Sequence, residues 1–179
     1  MSSAFRLEVD PEGLATLTFD VPGKKLNVFD REVLEELDTT TATLAGRDDV
    51  RVLVLLSGKP GGFIAGADID MIAGLTDPAV AEAGAREGQR IFDAWEQLPF
   101  PTVAAIRGTC VGGGTELALA STYRVLSDRP DYQIGLPEIK IGILPGFGGC
   151  TRLPRLIGLP DALDVILAGK TVRPKKAFK

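Results

Sequence analysis

The chain has 179 residues, 45% of them hydrophobic and 25% charged, with a formal net charge of −4. That length supports one domain with a real core, the composition excludes bulk disorder, and the acidic balance argues against nucleic acid as the main partner. The absence of histidine excludes Ser-His-Asp and Cys-His nucleophilic catalysis and removes the commonest metal ligand.

The N-terminus lacks the apolar core of a signal peptide, and no window approaches the roughly 18 apolar residues of a membrane span, so the cytoplasm is the expected location. Phe5, Leu7 and Val9 alternate with polar residues, as do Ala15, Leu17 and Phe19 beyond a Pro-Glu-Gly turn, which predicts a hairpin with one buried face. A Pro-Gly loop over 21–27 follows. Asp30 is a suitable N-cap for a helix reaching Ala45, with Val33, Leu34, Leu37, Thr41 and Leu44 on one stripe. The run Arg51–Leu56 reads as a strand buried on both faces, and Ser57–Gly62 as a loop. Asp68 is a second N-cap.

A helix over Pro78–Gln97 has Ala85, Ile91, Phe92, Trp95 and Leu98 as core contacts and ends at Pro99 and Pro101. Thr102–Ile106 is a short strand that feeds the glycine triplet Gly112-Gly113-Gly114, and a helix follows to Ala120. Tyr123–Leu126 and Tyr132–Ile134 are strand-like, and helices are expected over Gly148–Ile157 and Asp161–Ala168. Alternating strands and helices predict an α/β domain, and no internal sequence repeat is evident.

Three motifs need weighing. Gly169-Lys170-Thr171 is not a phosphate loop, because that pattern requires glycine where Asp164 stands. Gly146, Gly148 and Gly149 lack the third glycine of a dinucleotide fingerprint, which falls at Thr151. The triplet Gly112–Gly114 is costly in a helix-forming context, so either close backbone packing or an exposed amide that binds an anion must require it. Glu116 opens the apolar run Leu117–Ala120, where a carboxylate also suits a helix N-terminus. Glu138, between Pro137 and Ile139, reads alone as a loop residue. Two carboxylates in apolar surroundings beside an amide-rich turn together suggest raised pKa values and acid–base chemistry, provided that the fold brings them together. Cys110 and Cys150 have no CxxC spacing and both lie in glycine-rich segments, where a small side chain fills tight packing. Arg152 suits a solvated or carboxylate-pairing role, and Lys24 and Lys25 either face water or contact phosphate.

The ordered motifs Ala65-Gly66-Ala67-Asp68-Ile69, Gly108–Ala120 and Gly135–Gly149 resemble the enoyl-CoA hydratase (crotonase) superfamily. The phrases around Val21–Asn27 and Gly169–Ala177 are most similar to the N-terminal hydratase domain of multifunctional fatty-acid oxidation α-subunits. The resemblance implies a crotonase fold of repeated ββα units wound in a spiral. It implies hydration of 2-trans-enoyl-CoA to 3-hydroxyacyl-CoA, with Glu116 and Glu138 as acid and base and the Ala67 and Gly113 amides as an oxyanion hole. Lys25, Leu26, Ala65, Gly66, Asp68 and Ile69 would line the coenzyme A site. No metal or cofactor is implied for this unit; NAD would enter only with a following dehydrogenase domain. Rival readings are Δ3-Δ2 enoyl isomerisation, thioester hydrolysis or decarboxylation, or an inactive acyl-CoA-binding fragment. Partners would be the acyl-CoA substrate and either further copies of the chain or a thiolase subunit of a fatty-acid oxidation complex. Relatives continue past Lys179, so residues 1–179 are expected to be one crotonase-type domain cut short at its C-terminal end. Cys150-Thr151 departs from the family's usual residues and is expected to be silent, and Thr115 stands where the family has a small residue, often cysteine.

Overall fold

A computed structural model describes residues 3–178. The expected hairpin forms: β1 (Phe5–Val9) pairs antiparallel with β2 (Leu14–Phe19), and Ala15, Leu17 and Phe19 of β2 turn fully inward. Helix α1 (Arg31–Ala45) begins at Asp30, whose carboxylate accepts the Val33 N–H at 3.0 Å, and buries Val33, Leu37, Thr41 and Leu44. The next elements are β3 (Val52–Ser57), β4 (Gly62–Ile64), α2 (Ile69–Ala73) and α3 (Pro78–Glu96). They lead to β5 (Thr102–Ile106), β6 (Thr109–Val111), α4 (Gly113–Ala120), β7 (Tyr123–Leu126) and β8 (Ile134–Gly135). A 3-10 turn at Glu138–Ile141, α5 (Gly149–Ile157), α6 (Leu159–Leu167), β9 (Thr171–Val172) and α7 (Pro174–Ala177) complete the described chain.

Two sheets share these strands. The first has the order β1-β2-β3-β5-β7 and the second β4-β6-β8-β9, with every pairing parallel except β1–β2 and β8–β9. After the β1–β2 hairpin, which lies wholly in the first sheet, the pairs β3–β4, β5–β6 and β7–β8 each place one strand in the first sheet and the next in the second, followed by helix. This is the ββα repetition that the resemblance implied, present in space without a matching repeat in sequence. Burial alternation constrains each element, whereas the repeat is a property of their connections.

Four local expectations need correction. Leu53 and Leu55 are fully buried, but Val52, Val54 and Leu56 are only partly so, so β3 is closed on one face rather than two. The loop expected over 57–62 gives way at Gly62 to β4, too short for any period to show. Of Tyr132–Ile134, only Ile134 joins a strand, β8. Helix α6 starts at Leu159, before Asp161, because Gly158 turns the chain at φ +83° and Pro160 fits the first helical turn.

The core contains a run of aromatic contacts that reaches the site. Phe5 stacks on Phe19 with ring centroids 4.5 Å apart, and Phe19 stacks on Phe29 at 5.5 Å. Phe29 meets Phe92 of α3 edge-on at 5.7 Å, and Phe92 meets Phe147 edge-on at 5.3 Å. Such pairs contribute about 0.5–1.5 kcal/mol each beyond area burial. Trp95, fully buried, donates from Nε1 to Ser121 Oγ at 3.1 Å and ties α3 to the end of α4. No helix among the described residues is long and apolar enough to cross a membrane.

Candidate active site

The site begins at two backbone segments pressed together. Asn27 O accepts the Ala65 N–H at 2.8 Å, Phe29 N–H donates to Gly66 O at 2.8 Å, and Asp68 N–H donates to Phe29 O at 2.9 Å. This parallel bridge uses the Gly66 carbonyl and the Asp68 N–H on either side of the Ala67 N–H, which has no acceptor among the described residues. Gly66 adopts φ +94°, a conformation that side chains disfavour. A Cβ there would lie 3.2 Å from Val111 O and 3.4 Å from the Gly113 nitrogen. The chain entering Ala67 therefore runs directly against the start of α4. Gly113 is the first residue of that helix, so its N–H has no intrahelical acceptor and sits at the positive end of the helix dipole.

Side chains fix this arrangement from behind. Asn27 is buried and donates from Nδ2 to Phe19 O (2.8 Å), Ser57 Oγ (3.0 Å) and Phe63 O (3.1 Å), while its Oδ1 accepts the Val21 N–H at 3.0 Å. The Thr115 hydroxyl lies 2.9 Å from Cys110 O and 2.8 Å from Gly135 O, which pins the first turn of α4 to β6 and β8. Phe29 lies under Gly113, 3.2 Å from where a Cβ would stand. Asn27 and Thr115 were not singled out as positioning residues from sequence. A polar residue beside a Pro-Gly loop carries no signal of burial.

Both carboxylates lie at this junction. Glu116, 2% exposed, projects from the first turn of α4, yet it does not cap its own helix. Its Oε1 accepts the N–H groups of Phe147 and Gly149, each at 2.8 Å, and its Oε2 has no donor among the described residues. Burial pushes the Glu116 carboxyl up to about 7; the Gly149 amide opposes this, the Glu138 charge adds to the rise, and the Phe147 amide and Arg152 oppose it. Glu138, 9% exposed, stands on the 3-10 turn with Oε1 3.5 Å from where a Cβ on Gly112 would be. Its Oε2 is buried without a partner among the described residues, and burial raises its carboxyl above the usual range. The structure thus brings Glu116, Glu138, Gly113 and the Gly66–Ala67 peptide together. Both carboxyls therefore hold a proton to higher pH than a free glutamate does, the property that acid–base chemistry by a carboxyl requires.

The remaining predicted residues lie on the outer side of the bridge. Leu26 and Ile69 are apolar side chains 48% and 62% exposed, and Lys25 is exposed beside Leu26. Asp68 caps α2 by accepting the Asp70 N–H at 3.0 Å. Lys24 bridges Asp30 at 3.1 Å and Asp68 at 3.2 Å, which holds the Asp68 carboxyl below its usual range and raises the Lys24 ammonium. Cys110 is buried as expected, and burial pushes its thiol up to about 12. Cys150 is exposed on α5 rather than packed in, because it follows the inward-facing Gly149 around the helix. Arg152 takes its carboxylate-pairing role with Asp93 and Glu96 of α3, at 2.5 and 2.8 Å.

Residues 10–179 match the model of the enoyl-CoA hydratase/isomerase family. The chain is 49% identical over 176 residues to the fatty acid oxidation complex subunit alpha of Idiomarina loihiensis, covering 98% of this chain and 25% of that protein. It is 50% identical over 185 residues to the Aliivibrio fischeri subunit of the same name, covering 99% of this chain and 26% of that protein. The chain therefore spans about a quarter of the length of these curated relatives. An enoyl-CoA hydratase from Bacillus anthracis superimposes with a TM-score of 0.89 at 30% identity, over 98% of this chain and 66% of that one. The ββα spiral is accordingly a crotonase fold, and the chain belongs to the enoyl-CoA hydratase/isomerase family.

Proposed function

We propose that the chain hydrates 2-trans-enoyl-CoA thioesters to 3-hydroxyacyl-CoA, the hydration step of fatty-acid β-oxidation. The observation that carries this reading is the pair of buried carboxylates, Glu116 and Glu138, close enough for their charges to interact beside the Gly112–Gly113 backbone. The thioester oxygen sits between the Ala67 and Gly113 N–H groups, which stabilise the enolate-like charge as water adds. A donor of this kind lowers the barrier by about 2.7–4 kcal/mol. Glu116, held at Oε1 by two amides, orients water through Oε2 and takes its proton as the oxygen bonds to C3. Glu138 gives its proton to C2, and proton exchange with solvent resets the pair. Two carboxylates favour hydration over single-carboxylate isomerisation.

Lys25, Leu26 and the segment Ala65–Ile69 line the coenzyme A side of the site, with the exposed Leu26 and Ile69 available to its apolar parts. This unit uses no cofactor of its own. The identity to fatty acid oxidation complex α-subunits supports a single crotonase-type unit belonging to a longer multifunctional protein; the cytoplasm is the compartment proposed for it. There it assembles as further copies or with a thiolase subunit, and NAD serves only a neighbouring dehydrogenase unit.

The test is crotonyl-CoA hydration by Glu116→Gln and Glu138→Gln, each checked for acetoacetyl-CoA binding. The expected result is retained binding with hydration reduced by about 100-fold or more. Hydration at the wild-type rate by both variants overturns the assignment. Tight binding by the wild type with no turnover would identify an acyl-CoA-binding module instead.

A further inference from the structure

Glu116 owes its position to the turn over 147–149, since that turn supplies both N–H donors to Oε1. What holds the turn is a side chain outside the carboxylate pair. Arg152 Nη1 donates to Phe147 O at 3.1 Å, on the far side of the residue whose N–H binds Glu116. Nε donates to Glu96 Oε2 at 2.8 Å and Nη2 to Asp93 Oδ1 at 2.5 Å, which ties the same guanidinium to α3. The Arg152 side chain is only 9% exposed, whereas Asp93 and Glu96 are more than half exposed, so the charge is turned inward and anchored from the surface. Gly148 makes room for it: a Cβ there would stand 2.0 Å from Nη1, and the residue adopts φ +115°. A planar guanidinium with several fixed donors can hold a carbonyl and two carboxylates at once, which an ammonium cannot do in one plane.

We propose that Arg152 is a positioning residue for Glu116: clamped by Asp93 and Glu96, it holds the 147–149 turn so that the Phe147 and Gly149 amides stay on Oε1. This inference rests on the proposed role of Glu116 in hydration, but its geometry and its direct test do not. The charged and titratable groups facing Glu116 are Glu138 from the 3-10 turn, and Arg152 and the Cys150 thiol from α5. Loss of the guanidinium removes a favourable charge and loosens two donors, and both changes favour the protonated carboxyl. The Glu116 titration therefore moves upward.

The experiment follows the amide resonances of Phe147 and Gly149 against pH, since these N–H groups report the ionisation of the carboxylate they bind. In Arg152→Gln the midpoint is expected to rise by about half a unit or more. Arg152→Lys, which keeps the charge without the fork, recovers part of that shift. If Arg152→Gln does not fold, Asp93→Asn with Glu96→Gln is read in its place, because it frees the guanidinium from the surface side. A midpoint unchanged from the wild type overturns the proposal, whether or not the protein hydrates enoyl-CoA. Absence of hydration in the wild type would instead overturn the proposed reaction and leave the amide titration to decide on Arg152. Where hydration is measurable, kcat falls with KM little changed, and the ascending limb of the kcat profile moves to higher pH with the amide midpoint.

Discussion

Replacing Glu116 by Gln should change stability in a strongly pH-dependent way. Gln keeps the shape and an oxygen for the Phe147 and Gly149 amides, but it carries no proton equilibrium. In the wild type the Glu116 carboxyl is raised from 4.5 to about 7, chiefly by burial. Below about pH 4.5 the side chain is neutral in both the folded and unfolded states, and burial costs nothing extra. As pH rises, the unfolded chain ionises first, and the folded protein loses stability until the buried group also ionises near pH 7. The full loss is about 3 kcal/mol. Urea denaturation followed by the fluorescence of the single, fully buried Trp95 measures it. The two proteins should differ little at pH 4, whereas the Gln variant should be more stable by about 3 kcal/mol at pH 8.5. A gap that is the same at both pH values would refute the view that Glu116 is buried against its charge.

Two packing predictions and one hydrogen-bonding prediction use the same assay. Gly88→Ala puts a Cβ 2.2 Å from the Phe147 ring, so overpacking outweighs the gain in helix propensity and costs about 1–2 kcal/mol net. The displaced Phe147 should also weaken its hold on Glu116, which appears as an upward shift in the Gly149 and Phe147 amide titration. Gly114→Ala puts a Cβ 2.5 Å from the backbone oxygen of Ile64 and should cost about 3 kcal/mol because neither α4 nor β4 can yield. Asn27→Ala removes the side-chain partner of the Phe63 carbonyl and of the Val21 N–H, while the Phe19 carbonyl keeps the Gly58 N–H, and should also cost about 3 kcal/mol. A loss under 1 kcal/mol in the Asn27 variant would mean that water replaces the side chain freely.

The elements whose signals are local were legible from the amino-acid order alone. The β1–β2 hairpin follows from alternation, and α1 follows from the Asp30 cap and an apolar stripe that returns every turn. Gly113 and Glu116 could be marked as candidates because a glycine triplet and a carboxylate in apolar surroundings are each costly unless something requires them. Glu138 joins Glu116 as a candidate on the same ground, although only the fold can bring the two together, and the family resemblance, rather than any spacing, added Ala67.

Other features depended on contacts between distant parts of the chain. β4 and β6 have three residues each, too few to show a period, and are strands only because they lie beside one another. Glu116 accepts amides from a turn thirty-odd residues away, and that turn is held by an arginine anchored on α3. The raised carboxyls follow the same logic. A glutamate's affinity for its proton depends on which atoms replace water around it, and at Glu116 and Glu138 those atoms come from separate elements. Residue order determines which side chains can ionise; the burial and neighbours that decide at what pH they do so exist only once the chain has folded.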